Sequence, residues 1–472
     1  MKNGIPMTAS TLRCARATRR LSPFIAVFVL ASCLAPSPQP TRPALEEELP
    51  WESMSASLSL GDPGKALAAY ESALSGKPLA RDSRLLRARL LMSAGRLADA
   101  REELALLVAE QPADAEVLFN LALVEGLEGN VERRRELLEK VVSLTPDHAD
   151  ALAGLGDLAL EREDTAAAGR FFEAARGADP ANLVALLGIS ELRAREKDWA
   201  GSAEAAARAI EVEPDYPFAY IDRARARKAL GETAGAIHDF SRAIELDPAY
   251  PWSYIDRGRM YLQEARMEEA LADFGMATAL GPENFAGWAY RAQMLYDAGR
   301  DDEALSDFER VARLRPDYWF IFPPLGELYF VKGDWAKARQ YFLEAYRYEE
   351  GEHSYLLLAA LAARREGDAR GAAALIEGAL PGIPRDCWQY EVARFLLKPE
   401  ADFPLTARAD GEKNRATRAR MLFYLADQAS ASGRERAAAS WFVEIDDGGA
   451  PTAIETRLAR RSLARFAAQN QE

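Results

Sequence analysis

Prolines stand at 78, 112, 146, 180, 214, 248, 282 and 316, each 34 residues after the last; Glu350 interrupts the series and Pro384 resumes it in phase. A fixed period of this length means that one supersecondary unit is copied along the chain. Units so short cannot enclose a core alone and must stack on their neighbours. The residue twelve before each of those ten positions is Ala66, Ala100, Arg134, Ala168, Ser202, Ala236, Ala270, Ala304, Ala338 or Ala372. Seventeen before, glycine recurs at Gly61, Gly95, Gly129, Gly231, Gly299, Gly333 and Gly367. Twenty-four before lie small residues from Ala88 to Ala360, with only Met54 larger.

These slots dictate one unit. A glycine between two apolar-periodic stretches ends one helix and turns the chain, and the proline near the end of the period stops the second helix. Two helices of about twelve residues each result. Small residues at the two recurring slots let the pair approach to about 8 to 10 Å. Phe240, Phe274, Phe308 and Phe342, eight before the proline positions, fill the groove beside them, and small residues five before, such as Ala209 and Ala277, let the next unit dock.

Period, small-residue slots and terminal proline together resemble the tetratricopeptide repeat. The closest single unit carries Phe322, Leu325, Gly326, Tyr329, Ala338 and Phe342, which fits the family's W-x2-L-G-x2-Y and A-x3-F pattern with Phe for Trp. The resemblance implies an all-α fold, a right-handed solenoid of antiparallel helix pairs, over ten in-phase repeats from 47 to 386 with boundaries at 80, 114, 148, 182, 216, 250, 284, 318 and 352. Arg134 in the alanine slot of repeat three departs from the pattern and puts tight packing there in question.

Past Asp386 the series decays. Residues 387–413 read as one helix, Cys387 to Leu397, followed by a connection over 398–413 with Pro399 and Pro404 as breakers. A faded repeat spans 414–447, with Gly433, Ala437 and Trp441 in the turn, small and aromatic slots. Residues 448–472 supply a helix expected to cap the array.

The first 32 residues have the order of a signal peptide: a basic segment from Arg13 to Arg20, the apolar run Leu21 to Leu30, then Ala31, Ser32 and Cys33. The run is about half the ~20 apolar residues that a membrane-spanning helix needs. Leu30-Ala31-Ser32-Cys33 resembles the bacterial lipobox, which implies cleavage before Cys33 and lipidation of it. Leu34 rather than Asp follows the cysteine, which by the enterobacterial sorting rule implies the outer membrane. Residues 33–46 then form a proline-rich tether that spaces the body from the membrane at ~3 Å per residue.

The formal charge is -14; residues 1 to 32 carry five bases and no acid, so the rest carries -19. Such a surface repels phosphate backbones and argues against nucleic acid as a partner. The charge is uneven. From Arg408 onward the chain is +2, while residues 33 to 407 hold -21.

Two sets of polar residues recur. Arginine in one slot of the first helix goes with an acid sixteen residues on: Arg87 with Glu103, Arg223 with Asp239, Arg257 with Asp273 and Arg291 with Asp307. Repeats without the arginine lack the acid, so the pairs read as structural ion pairs between the two helices, partly exposed and worth at most ~1 kcal/mol each. Asp222, Asp256, Arg225 and Arg259 lie beside the paired arginines on another face and are candidates for contact with a partner. The resemblance implies an inner groove lined by the first helices, and Phe218, Trp252 and Phe320 share a slot two residues into them. These rings are candidate rungs for an extended or helical peptide, with packing as the competing role because aromatics enrich both cores and hot spots. The lysine and asparagine clamp of the chaperone-binding members is missing.

No catalytic set emerges. His148, His238 and His353 fall at unrelated slots, without HExxH or paired cysteines, so neither a metal nor a cofactor has a ligand set. Gly61-Asp62-Pro63-Gly64-Lys65 lacks the spacing of a phosphate loop, and there is no GxSxG. The expectation is a membrane-anchored, non-enzymatic scaffold whose groove holds a protein or peptide, in envelope assembly or a secretion or pilus-type complex, as similar lipoproteins do. Two alternatives stand beside it: a surface adhesin for host molecules, and an enzyme whose small catalytic module lies after Asp386.

Overall fold

The computed structural model describes residues 49–75, 79–349, 351–398, 403–450 and 453–469. The export segment, Cys33, the tether and Pro78 lie outside the described residues. Every regular element among the described residues is helical, and none of these helices is long and apolar enough to cross a membrane. The chain divides into two compact bodies, one ending at Arg266 and the other beginning at Met267, so the boundary falls inside repeat seven.

Repeat four shows how a unit is built. Its helices run Ala149–Glu161 and Thr165–Ala178. The chain reverses at Glu163, in the left-handed region at φ 63°. Asp164 then caps the second helix by accepting from the Ala167 amide at 2.9 Å, a contribution of about 1 kcal/mol. The same aspartate caps recur at Asp198, Asp334 and Asp368. Asp62 caps Pro63–Ala73 in this way, so the glycine-rich run around it is a helix start.

Packing follows from the small slots. Phe172, fully buried, lies between Gly156 of its own repeat and Gly188 of the next: an added Cβ would stand 2.6 Å from its ring at the first and 2.3 Å at the second. One aromatic thus joins three helices. Phe240, Phe274, Phe308 and Phe342 occupy the equivalent slot and are all 2 % exposed or less; burying each such ring contributes roughly 2 to 3 kcal/mol. Arg134 is accommodated by glycine. A Cβ on Gly126 would lie 2.8 Å from Arg134 Cδ, and one on Gly154 would lie 3.7 Å from its Nη2, so two missing side chains make room for one long one.

In the C-terminal body, repeat nine opens on a 3-10 turn, Trp319–Ile321, before the helix Phe322–Lys332. Pro323 and Pro324 lack amide donors and fit only a first turn, which fixes the α-helical start. After the helix Trp388–Leu397, the expected connection contains a further helix, Phe403–Gly411: Pro404 starts this helix instead of breaking one. The next pair is Arg415–Ala431 and Glu435–Gly448. Gly433 makes its turn at φ 73° as expected, but the small and aromatic slots fall five and nine residues after it, as in the other repeats: Ala438 and Phe442 are buried there, while Ala437 is exposed. The last helix, Ile454–Gln469, packs on that pair and also reaches back to Phe322–Lys332.

Candidate protein-binding surface

The recurring arginine slot places its side chain between the two helices of a repeat. Arg223 donates from Nε and Nη2 to both carboxylate oxygens of Asp239, at 2.9 and 2.7 Å. These bonds raise its pKa further above the usual arginine value. Arg291 does the same to Asp307 at 2.6 and 2.7 Å, and its guanidinium lies 4.8 Å from the Trp288 ring centroid. Arg87 reaches Glu103 at 2.9 Å and also Glu71. Arg257 and Asp273 belong to different bodies; Arg257 donates to Ser241 Oγ at 3.1 Å. Asp239 is 0 % exposed and takes a further bond from Arg227 at 2.7 Å. The site is therefore more deeply buried than a partly exposed surface pair.

The other stripe links successive first helices of the N-terminal body. Arg225 donates to Asp256 at 3.1 and 2.8 Å, and Arg259 approaches the other oxygen at 3.5 Å. Asp222 and Asp256 are both buried. Burial pushes Lys228 down to about 8, against the pull of Asp256 and with Arg259 and Arg225 adding to the fall. The Asp222 carboxylate adds its attraction for Arg225 to that of Asp256, so the stripe is a network of both signs.

The three aromatic candidates differ. Phe218 is 2 % exposed, packed against Tyr216 and edge-on to Tyr250 with centroids 5.3 Å apart. Trp252 is 8 % exposed. Neither offers a ring to a partner in this conformation. Phe320 is 40 % exposed and stacks on Trp319 at 4.1 Å, where the 3-10 turn lifts it out of a regular helix.

Sequence reasoning missed one polar cluster altogether. In the C-terminal body Arg457 and Arg461, one turn apart on the last helix, meet residues 130 to 165 positions earlier. Arg457 donates to both oxygens of Glu327 and, at 3.0 Å, to the Tyr296 hydroxyl. Tyr296 in turn donates to Glu327. Arg461 donates to both oxygens of Asp301 at 3.1 Å and to the Tyr296 carbonyl at 3.1 Å, and lies 4.1 Å over the Tyr296 ring. Glu327 is 0 % exposed. Burial, with Glu327 adding to it, pushes the Tyr296 phenol far up, so it stays a donor. The signal lay in the +2 charge after Arg408 against the acidic remainder. Nearby, Arg420 joins Glu455 of the last helix at 2.9 Å and stands 4.5 Å over Trp388.

His148 caps a helix, accepting from the Ala151 amide at 3.3 Å. Among the described residues no group of three His, Cys, Asp or Glu is arranged to hold a metal. Cys387 is a free thiol that donates to the Pro384 carbonyl.

Three family models, all described as tetratricopeptide repeat, match residues 57–121, then 120–182, 255–318 and 324–386, then 219–250. No curated protein matches the sequence. Among solved structures, the chain is similar to PilF of Pseudomonas aeruginosa at 18 % identity and TM-score 0.40, over 43 % of this chain and 92 % of that one. It is similar to a tetratricopeptide-repeat protein of Parabacteroides merdae at 20 % identity and TM-score 0.38, over 53 % and 98 %. YrrB, a tetratricopeptide-repeat protein with an unusual peptide-binding site, is similar at 20 % identity and TM-score 0.33, over 40 % and 96 %.

Proposed function

The chain belongs to the tetratricopeptide-repeat family, and from that premise we propose that it is a non-enzymatic scaffold, tied to the cell envelope through a lipid on Cys33, that holds a protein partner along its first helices. The observation that carries the binding role is the pair of part-exposed arginines Arg225 and Arg259 on consecutive first helices, held in place by the buried Asp256 between them. First helices are where this family receives partners, and charge there sets which partner fits and how fast it arrives. Support for the anchor is the order of basic segment, short apolar run, lipobox-like Leu30 to Cys33 and proline-rich tether. Work in envelope assembly or in a secretion or pilus-type complex fits such an anchor.

The anchor is tested by feeding cells an alkyne fatty acid. Acylation of the wild-type chain and its loss in Cys33→Ala, with release from membranes, is the expected result; an acyl label retained by Cys33→Ala ends the anchor. The partner is tested by placing a photo-crosslinker at Arg259 in the native cell and identifying the product by mass spectrometry. An envelope protein captured from Arg259 but not from a site on a second helix supports the groove. Equal capture from both overturns it. Protease treatment of intact cells spares a periplasmic scaffold and degrades a surface adhesin.

A further inference from the structure

Glu327 stands in repeat nine in the slot that Arg225 and Arg259 fill in repeats six and seven. It faces the side on which a partner of this fold would lie, yet it is completely buried, because the chain's own last helix covers it. The cover has a pattern. Ile454 and Leu458 are buried on one face, and Arg457 and Arg461 follow each at a spacing of three, so the helix reads apolar-x-x-Arg-apolar-x-x-Arg. Residues at these spacings share a face of a helix. Two guanidinium groups enter a receptor made of a carboxylate, a phenol and a second carboxylate, Glu327, Tyr296 and Asp301.

We propose that Tyr296, Asp301 and Glu327 form an arginine-recognition site, that the C-terminal helix is its internal occupant, and that a partner docks by offering an amphipathic helix with the same two-arginine pattern in its place. The proposal rests on the protein-binding reading above and adds the chemistry of the partner and a means of control. Buried ion pairs contribute little net stability, because the cost of removing both ions from water offsets their attraction. A competitor that re-makes the same bonds exchanges with the resident helix at small net cost. The resident helix is joined to Glu435–Gly448 through only residues 449–453, so its effective concentration is high and a partner in solution competes against it.

The test uses the full chain and a fluorescently labelled peptide of residues 454–469, read by anisotropy. Arg457→Ala with Arg461→Ala in the chain frees the site, and the peptide is expected to bind this variant roughly tenfold or more tightly than wild type. Adding Glu327→Gln to that variant abolishes the gain, and a peptide with alanine at both arginine positions does not compete. Equal binding by wild type and the double variant, or binding insensitive to Glu327→Gln, overturns the proposal. If the double variant fails to fold, hydrogen exchange on wild type decides. Excess peptide accelerates exchange in 454–469 if the helix is displaced; unchanged exchange refutes displacement. Either failure leaves capture at Arg259, in the N-terminal body, as a separate measurement.

Discussion

Gly188 approaches the Phe172 ring so closely that a Cβ there would lie 2.3 Å from it. The ring already fills the space that a Cβ on Gly156 would take, 2.6 Å from Cε1, so it is packed against both glycines. Gly188→Ala therefore forces helices apart at a cost of about 1 to 3 kcal/mol, which exceeds the ~1 kcal/mol that alanine gains in a helix interior. Gly177, in the helix Thr165–Ala178, has nothing within 4 Å of an added Cβ. Gly177→Ala is expected to stabilise by about 0.5 to 1 kcal/mol. Chemical denaturation of the two variants should give shifts of opposite sign, and shifts of the same sign would mean that close approach is not what selects glycine at 188.

The reversal between helices needs a positive φ, and three repeats achieve it without glycine: Glu163 at 63°, Lys197 at 63° and Ala265 at 57°. A side chain in that region costs on the order of 1 kcal/mol. Lys197→Gly should raise stability by about that amount, and Gly231→Ala, at φ 81°, should lower it similarly. Urea midpoints measure both.

Asp239 and its two arginines test how deep the repeated ion pair lies. Asp239 is 0 % exposed, while Arg223 and Arg227 are 18 % and 29 % exposed. Removing Arg223 leaves Asp239 neutralised by Arg227, so Arg223→Gln should cost about 1 kcal/mol. Removing the carboxylate strands two cations together, and Asp239→Asn should cost about 2 to 3 kcal/mol. Thermal unfolding that ranks Arg223→Gln as the worse variant would contradict this arrangement.

A buried carboxylate with too few partners gives a pH signature. Asp427 is 4 % exposed, its Oδ2 has no hydrogen-bond partner, and Arg365 reaches only Oδ1, at 3.3 Å. Burial pushes its pKa up to about 6, with Arg365 opposing. Between about pH 4 and 6 the folded chain keeps a proton that the unfolded chain has released, so this group's contribution to stability falls as pH rises through that window and is level above it. The loss is on the order of 1 to 3 kcal/mol. Asp427→Asn removes the decline: the stability difference between variant and wild type should grow in the variant's favour from pH 4 to 6. A pH-independent difference would show that Asp427 is ionised throughout.

What could be read from the sequence was what repeats. The turn residue, Ala168 and its equivalents, and Phe172 and its equivalents recur at fixed offsets because each copy solves the same packing problem, so ten solutions vote on each slot. Where the vote ends, reading fails. In the faded pair after Asn414 only Gly433 fixes the count: the slots five and nine residues after it are Ala438 and Phe442, which are buried, and Ala437 and Trp441 fall one residue short. Phe218 was indistinguishable from a groove residue because its cover comes from Tyr216 and Tyr250, two loop residues outside the helical pattern. Arg457 meets Glu327 across 130 residues, a distance at which only the path of the stacked helices decides who touches whom.

The exception in repeat three makes the last prediction. Arg134 sits in the alanine slot because Gly126 and Gly154 vacate the space that its stem and guanidinium need. In repeat nine the same two positions, relative to Ala338, hold Phe330 and Leu358, both buried. Ala338→Arg has nowhere to put its side chain: it must displace an aromatic ring, strand a charge in the core, or push neighbouring helices apart, and should cost about 3 kcal/mol or more. Arg134→Ala restores the common residue and leaves space between two glycines that helices can close, so its cost should stay near 1 kcal/mol. Thermal unfolding of the two variants separates a slot that requires small residues from one that requires only a fixed total volume. Equal and small effects would show that alanine in this slot reflects helix propensity alone.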